Sequence, residues 1–312
     1  MKPSVYVILL NYCGARDTVA CLESLKKLDY PDFKIIVVDN ASPDDSVAVL
    51  KKAQSAHEFL LFESHENGGY SAGNNVGIQF VMERHANDDA HKQPYLWLLN
   101  NDTTVEPNSL SMLVAEAQKT GGLVGSLLLY PDRTYQQVGT VINWTTGSTK
   151  GIPEKDLQDG MRVECLTGAS MLIPMQVLRK IGMLDESFFL YFEDAEFCLR
   201  AAQRNFYCTL ALRSRVFHKE GATTGKKSLN TQYYFHRNRM KVLSMYATAS
   251  QKITISLYTR FRMLRSVVKC RLKPSPEREA SNRVQRLAME DYRKGIGGPC
   301  PHNLNQHPEA RP

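Results

Sequence analysis

Apolar and polar positions change rhythm repeatedly along the first 130 residues. Short apolar runs, rich in β-branched residues, occupy positions 5–10, 34–38, 59–62 and 95–99. Between them the apolar residues recur every three or four positions, as Val19, Leu22, Leu25 and Leu28 do before Pro31 ends the stretch. A short unbroken apolar run reads as a strand covered on both faces, and a period near 3.6 as a helix packed along one side. The pattern therefore predicts four strands, with helices starting near Asp17 and over 46–52 and 73–83. Farther on it predicts a helix over 108–119, a strand over 123–129 and a helix over 193–204. Residues 130–155 follow neither period. Strands alternating with helices predict an α/β fold whose central sheet is mainly parallel, with helices on both faces. Ligands of such sheets bind where the strands end at their carboxyl termini.

Asn11, Asp39, Asn67 and the triplet Asn100-Asn101-Asp102 all lie just past predicted strand ends. A carboxylate there can be aimed at a cation, and Asp39 could accept a hydrogen bond from a nucleobase ring N–H. Each also fits a plain turn, where Asn and Asp are favoured. Residues 67–75, with Gly73 and Asn74, offer either a glycine-rich turn or a backbone able to approach a diphosphate closely; the spacing is not the GxGxxG of dinucleotide folds. Five apolar residues, 188–192, deliver Glu193 and Asp194 to a predicted helix N-terminus. Carboxylates suit the helix dipole there, and one beside an apolar wall is also placed to take a proton from a hydroxyl. His218 follows another short apolar run. In 233–239 aromatics alternate with guanidinium groups, so that Arg237 or Arg239 either meets phosphate bidentately or stays in solvent while the aromatics dock a helix.

The formal net charge of +7 is unevenly spread: residues 1–230 carry 23 basic and 27 acidic residues, and 231–312 carry 16 and 5. Within the basic end, Leu257, Phe261, Leu264, Val268 and Leu272 form a helical stripe flanked by Arg260, Arg262, Arg265, Lys269 and Arg271. That pattern fits a helix lying on an anionic membrane surface and equally one docking on the protein body. Nucleic acid is not the expected partner, because the aromatics follow a stripe rather than a stacking platform. Seven cysteines without a CxxC pair point to a reduced, cytosolic chain with no zinc site. The opening residues read as a strand rather than a cleaved signal.

In this order, residues 7–12, 38–42, 67–75, 98–103, 168–173, 189–194, His218 and 234–239 resemble the inverting GT-A glycosyltransferases. The closest likeness is to their rhamnosyltransferase-like branch, which acts on bacterial surface polysaccharides. The resemblance implies a GT-A catalytic domain over 1–240; beyond it, charge and helical spacing predict a basic amphipathic helical extension over 241–294, and the Gly/Pro/Asn/His-rich composition from Gly295 predicts a disordered end over 295–312. The resemblance also implies a nucleoside diphosphate sugar donor, with rhamnose one candidate, and a glycan or lipid-linked glycan acceptor. By it Asp194, beside Glu193, would be the general base. Asp102 with His218 would hold a divalent cation, Mg²⁺ or Mn²⁺. Asn11, Asp39, Asn67, Gly73, Asn74, Asn100, Asn101 and Arg237 would surround the donor. The first acidic position of the family's DxD motif is Asn100 here, which leaves Asp102 as the triplet's only carboxylate and keeps a non-catalytic nucleotide-sugar or glycan-binding protein as the alternative.

Overall fold

The computed structural model describes residues 2–89, 92–219 and 228–304. The four apolar runs form β1 (Val5–Asn11), β2 (Phe33–Asp39), β3 (Leu60–Glu63) and β4 (Tyr95–Asn100), hydrogen-bonded in the order β3-β2-β1-β4 and all parallel. Parallel neighbours need long crossovers, supplied by α1 (Ala15–Leu25), α2 (Ser46–Ala53) and α3 (Gly69–Arg84). Alternate strand residues feed opposite cores: Ile8, Ile36 and Leu98 meet Ile78 and Val81 of α3. Val7, Leu9, Val37 and Trp97 meet Leu22 and Leu25 of α1 and Leu50 of α2. Burial on both faces is why these strands are unbroken apolar runs rather than alternating ones.

The second half adds β5 (Thr103–Val105), α4 (Ser109–Thr120), β6 (Leu123–Leu129), β7 (Tyr135–Gln137), β8 (Gly139–Asn143) and β9 (Ser148–Gly151). It continues with β10 (Arg162–Val163), β11 (Cys165–Leu166), β12 (Ser170–Pro174), α5 (Met175–Ile181), α6 (Glu193–Ala202) and β13 (Cys208–His218). The segment without a clear period thus holds β7 and the β8–β9 hairpin, and β8, β9 and β11 make a small separate sheet. β12 enters the main sheet antiparallel between β4 and β6, while β13 runs parallel to β6. Being antiparallel to both β4 and β6, β12 leaves those two strands pointing the same way. The carboxyl ends of β1, β2, β4, β6 and β13 therefore gather along one edge.

Three helices follow: α7 (Leu229–Tyr246), α8 (Ala249–Leu272) and α9 (Pro276–Arg293). Their starts are set locally, by Ser228 accepting from the Thr231 N–H, by a reciprocal Thr248/Gln251 capping box, and by Ser275 ahead of Pro276. The expected boundary at 240 falls inside α7. Tyr233 and Tyr234 of α7 pack with Val284 and Ala288 of α9 and with Leu304. Residues 295–304, the start of the end expected to be disordered, run against α7, α9 and the segment before α6: the Gly298 N–H donates to Ser187 O, the Cys300 N–H to Tyr234 Oη, and His302 pairs with Asp291. Residues 305–312 of that expectation lie outside the described residues. No helix among the described residues is long and apolar enough to cross a membrane.

Arg237 anchors this arrangement. It is buried, donating to Gly298 O at 2.7 Å and to Asn238 Oδ1 at 3.0 Å, with its guanidinium over the rings of Tyr233 and Tyr234. The expected donor-binding role does not survive that placement, since the fork geometry that suits phosphate is spent on a backbone carbonyl and a neighbouring amide. Arg239 is likewise buried, donating to Gly147 O. Arg237→Ala should lower unfolding free energy by roughly 3 kcal/mol, from lost charge-assisted hydrogen bonds and ring contacts. Nucleotide affinity should hardly move. Urea unfolding beside nucleotide titration decides: unchanged stability with lost affinity would restore the donor role.

Candidate active site

At the shared edge, Asn11 and Asp39 end β1 and β2 directly opposite one another. Asn11 Nδ2 donates to Asp39 Oδ2 at 2.7 Å, and Ser42 donates to the same carboxylate through Oγ at 2.8 Å and through its N–H at 2.9 Å. A carboxylate has about four lone-pair sites. Three are taken, so Asp39 keeps room for one further donor. Asn11 Oδ1 accepts from Thr18 Oγ1 at 2.9 Å and from Asn101 Nδ2 at 3.3 Å. Asn101 also donates to Thr18 Oγ1 at 2.9 Å, so its amide is turned into the start of α1 rather than out of the edge. Asn11 and Asn101 are clamps between strand ends.

Asn100 and Asp102 turn the other way, toward His218 at the end of β13. His218 Nε2 lies 3.2 Å from Asp102 Oδ1 and 3.3 Å from Asn100 Nδ2. Gln136 fixes the opposite side of the ring: its Nε2 donates to the His218 carbonyl, which leaves its Oε1 2.9 Å from Nδ1. An amide oxygen only accepts, so Nδ1 bears a proton and Nε2 is the ring atom that faces Asp102. Two electron-rich atoms so placed need a proton or a cation between them. A two-residue set of carboxylate and imidazole is incomplete for a metal, and no group of three such ligands occurs among the described residues. It does fit a cation that completes its shell with water and substrate phosphate, as Mg²⁺ does. Beside Asp102 opens a cavity of about 250 Å³ lined also by Thr104, Pro131, Arg133, Phe217 and Lys219. Arg133 and Lys219 are the cations sequence reasoning missed. They follow β6 and β13 and line the cavity beside Asp102, with the Lys219 ammonium paired to Asp17 and the Arg133 guanidinium over the Phe217 ring and 3.9 Å from Glu106.

The acidic pair is delivered by a turn with two successive left-handed residues, Tyr191 (φ 65°) and Phe192 (φ 72°). Non-glycine residues in that region are strained and persist only where neighbours hold them. Asn238 supplies such a hold, its buried Nδ2 donating to both Leu190 O and Tyr191 O at 2.9 Å. The start of α3 supplies another. The Tyr70 N–H donates to Phe189 O and Ser71 Oγ to Phe188 O. Gly69 has φ +79°, and a Cβ there would fall 2.1 Å from Phe189 O.

Residues 69–75 are accordingly the first turns of α3 and not a loop. A Cβ at Gly73 would lie 2.4 Å from Leu10 Cδ1, so this glycine lets helix and strand approach rather than exposing backbone to a ligand. Asn74 donates to Tyr70 O within the helix, and Asn67 Oδ1 accepts from Asn40 Nδ2 and the Gly69 N–H. These expected donor contacts are internal ones.

Asp194 is partly exposed and accepts two backbone N–H groups, Gly168 at 3.0 Å and Ala195 at 2.7 Å. Glu193 is buried, and its Oε2 has no hydrogen-bond partner among the described residues. Burial raises the Glu193 carboxyl well above the ordinary range, and the adjacent Asp194 adds to this. Burial also raises Asp194, but the two N–H groups oppose it. Both carboxyls are raised, but the two N–H groups favour the ionised form of Asp194 while Glu193 is the more deeply buried, so Asp194 is the member of the pair better placed to hold the charge. Gly168 ties this acid to the strand ends: its carbonyl accepts from Tyr70 Oη at 2.6 Å, and the next carbonyl, of Ala169, accepts from the Asn100 N–H at 3.0 Å.

Residues 4–182 match the sequence model of the family described as Glycosyl transferase family 2. The chain belongs to that family. A second family 2 model, Glycosyl transferase family group 2, matches residues 95–270. Among relatives, the low-salt glycan biosynthesis hexosyltransferase Agl10 of Haloferax volcanii is 27% identical over 211 residues, covering 66% of this chain and 64% of its own. The rhamnosyltransferase WbbL of Escherichia coli K12 is 25% identical over 210 residues, covering 63% of this chain and 76% of its own. The matched region thus spans about two thirds of the first of these proteins. GalNAc-T7, whose structure holds UDP, GalNAc and Mn²⁺, superposes with a TM-score of 0.63 at 15% identity, over 93% of this chain and 54% of that one. The likeness establishes the fold, the GT-A arrangement. Of the residues picked out for this family 2 chain, Asn11, Asp39, Asn100, Asn101, Asp102, His218 and Asp194 come to the one edge, and Arg237 does not.

Proposed function

We propose that the chain is an inverting glycosyltransferase that moves a hexose from a nucleoside diphosphate donor to a hydroxyl of a glycan or lipid-linked glycan. Rhamnose is one candidate sugar, given the likeness to WbbL. The observation that carries the reading is the acidic pair itself, with partly exposed Asp194 held by two backbone N–H groups and buried Glu193 behind it. Asp194 takes the proton of the acceptor hydroxyl as that oxygen bonds to the anomeric carbon. The bond to the diphosphate breaks on the opposite side, so the configuration inverts. Asp39, with one free lone-pair site, accepts from the donor's base. Arg133 and Lys219, which line the cavity beside Asp102 and rest against Glu106 and Asp17, are the cations nearest at hand for the diphosphate in place of Arg237. Asp102 and His218 would hold a divalent cation, Mg²⁺ or Mn²⁺, which offsets charge on the departing diphosphate.

A thermal-shift screen of nucleoside diphosphate sugars with Mg²⁺ or Mn²⁺ identifies the donor, because a bound donor stabilises the fold by mass action. NMR of the product's anomeric centre then reports the stereochemistry. Inversion is expected. A donor that binds yet is neither hydrolysed nor transferred to any hydroxyl acceptor would leave the non-catalytic binding reading, and a retained configuration would remove Asp194 as the base of a single displacement.

A further inference from the structure

The stripe on α8 remains uncovered. Ile255 and Thr259 are buried, with Ile255 packed in the core beside Leu243. At 3.6 residues per turn the opposite side of the helix is occupied by Ile253, Leu257, Phe261, Leu264, Val268 and Leu272, all within roughly a 100° arc. Their exposures run from 45% at Val268 to 76% at Leu272. Scattered exposed apolar residues are ordinary, but six large ones in one stripe mark a surface that meets something.

Charge identifies the partner. The helix carries Lys252, Arg260, Arg262, Arg265, Lys269 and Arg271 and no acidic residue. On the same helical count Arg260 and Arg271 border the stripe on one side and Arg265 and Lys269 on the other. An apolar band between cationic borders matches an anionic bilayer, whose acyl region takes the first and whose headgroups take the second. We infer that α8 seats the protein on an anionic lipid surface, lying in the plane of the interface. Ile255 and Thr259 hold the helix to the body while the opposite side enters the headgroup layer. This site is separate from the edge that carries Asp102 and Asp194, so it stands or falls apart from the proposed reaction.

The test is co-flotation of the full chain with phosphatidylcholine vesicles with and without phosphatidylglycerol. Binding is expected only to the anionic vesicles and should weaken as salt rises, because the screening length shortens. Each cation near such a surface contributes about fivefold. The Arg260→Ala/Arg265→Ala/Lys269→Ala variant should therefore bind on the order of a hundredfold more weakly. Leu257→Ser/Phe261→Ser/Leu264→Ser should lose binding even at low salt. Both variants alter only exposed side chains, so their thermal midpoints should stay at the wild-type value. Equal flotation of wild type and both variants would overturn the inference. So would a wild-type dimer that the serine variant dissociates with no vesicle binding in either, or an oligonucleotide shift without flotation.

Discussion

Asp194→Asn is expected to lower turnover by on the order of a thousandfold, the middle of the range that a positioned general base contributes, and to leave donor affinity within about twofold. The amide keeps the size of the side chain, but its single oxygen can accept from only one of the Gly168 and Ala195 N–H groups, which the carboxylate takes on separate oxygens, so the variant loses the proton acceptor and one of its two holds. Glu193→Gln provides the contrast. With the Glu193 carboxyl raised well above the ordinary range, an amide there should retain turnover within several-fold. In both the wild type and this variant, kcat/KM should rise with pH along a limb above the ordinary carboxylate range, because burial raises Asp194. Stability should report the other acid. A carboxyl raised in the fold binds its proton more tightly folded than unfolded, so stability is greatest below its unfolded value. It declines as pH rises toward the folded value, by about 1.4 kcal/mol per pH unit for one proton. Glu193→Gln should make that decline shallower, leaving the share of Asp194, whose carboxyl is raised too, as urea unfolding across the window would show. Near wild-type turnover in Asp194→Asn, or loss of turnover in Glu193→Gln alone, would reverse the assignment.

Asp102→Ala should reduce kcat/KM by roughly a hundred- to a thousandfold, the range seen when one preorganised electrostatic stabiliser of a transition state is removed. The more telling readout is the cation's effect on nucleoside diphosphate binding. In the wild type, Mn²⁺ or Mg²⁺ should tighten binding over that in chelator. In Asp102→Ala this enhancement should vanish, with affinity in chelator little changed because Arg133 and Lys219 remain. His218→Gln should weaken the enhancement less, since a carboxylate is lost in one case and a neutral nitrogen in the other. Calorimetric titration of all three proteins with and without the ion decides. An enhancement that survives in Asp102→Ala places the cation elsewhere.

The parallel half of the sheet was legible because each strand is covered on both faces and so appears as an unbroken apolar run. The placement of Asn11, Asp39 and Asn100–Asp102 at strand ends followed from that. What could not be read was which way a polar side chain turns once there. Asn100 and Asn101 are adjacent and chemically identical, yet one meets His218 and the other is folded into α1. Gly73 sits in a segment that looks like a flexible loop, and only the closeness of Leu10 reveals a packing glycine. Arg237 failed for a related reason: its partner, the Gly298 carbonyl, lies 61 residues on, in a stretch whose Gly/Pro/Asn/His composition suggests disorder. Residues 130–155 gave no period because their strands, β7, β8 and β9, are three, five and four residues long, too short to repeat a pattern. Gln136, which orients His218, comes from this stretch.

Gly168 and Ala169 connect the two ends of the proposed reaction: one N–H reaches Asp194, one carbonyl holds Tyr70, and the next carbonyl holds the Asn100 N–H. A donor that shifts Asn100 also alters the hydrogen bond on the carboxylate that receives the acceptor's proton. Equilibrium linkage makes such an influence reciprocal. By whatever factor donor occupancy changes the proton affinity of Asp194, ionising Asp194 changes donor affinity equally. Acidity would then tune the binding of a nucleotide it never touches, through a dipeptide with no side-chain chemistry of its own.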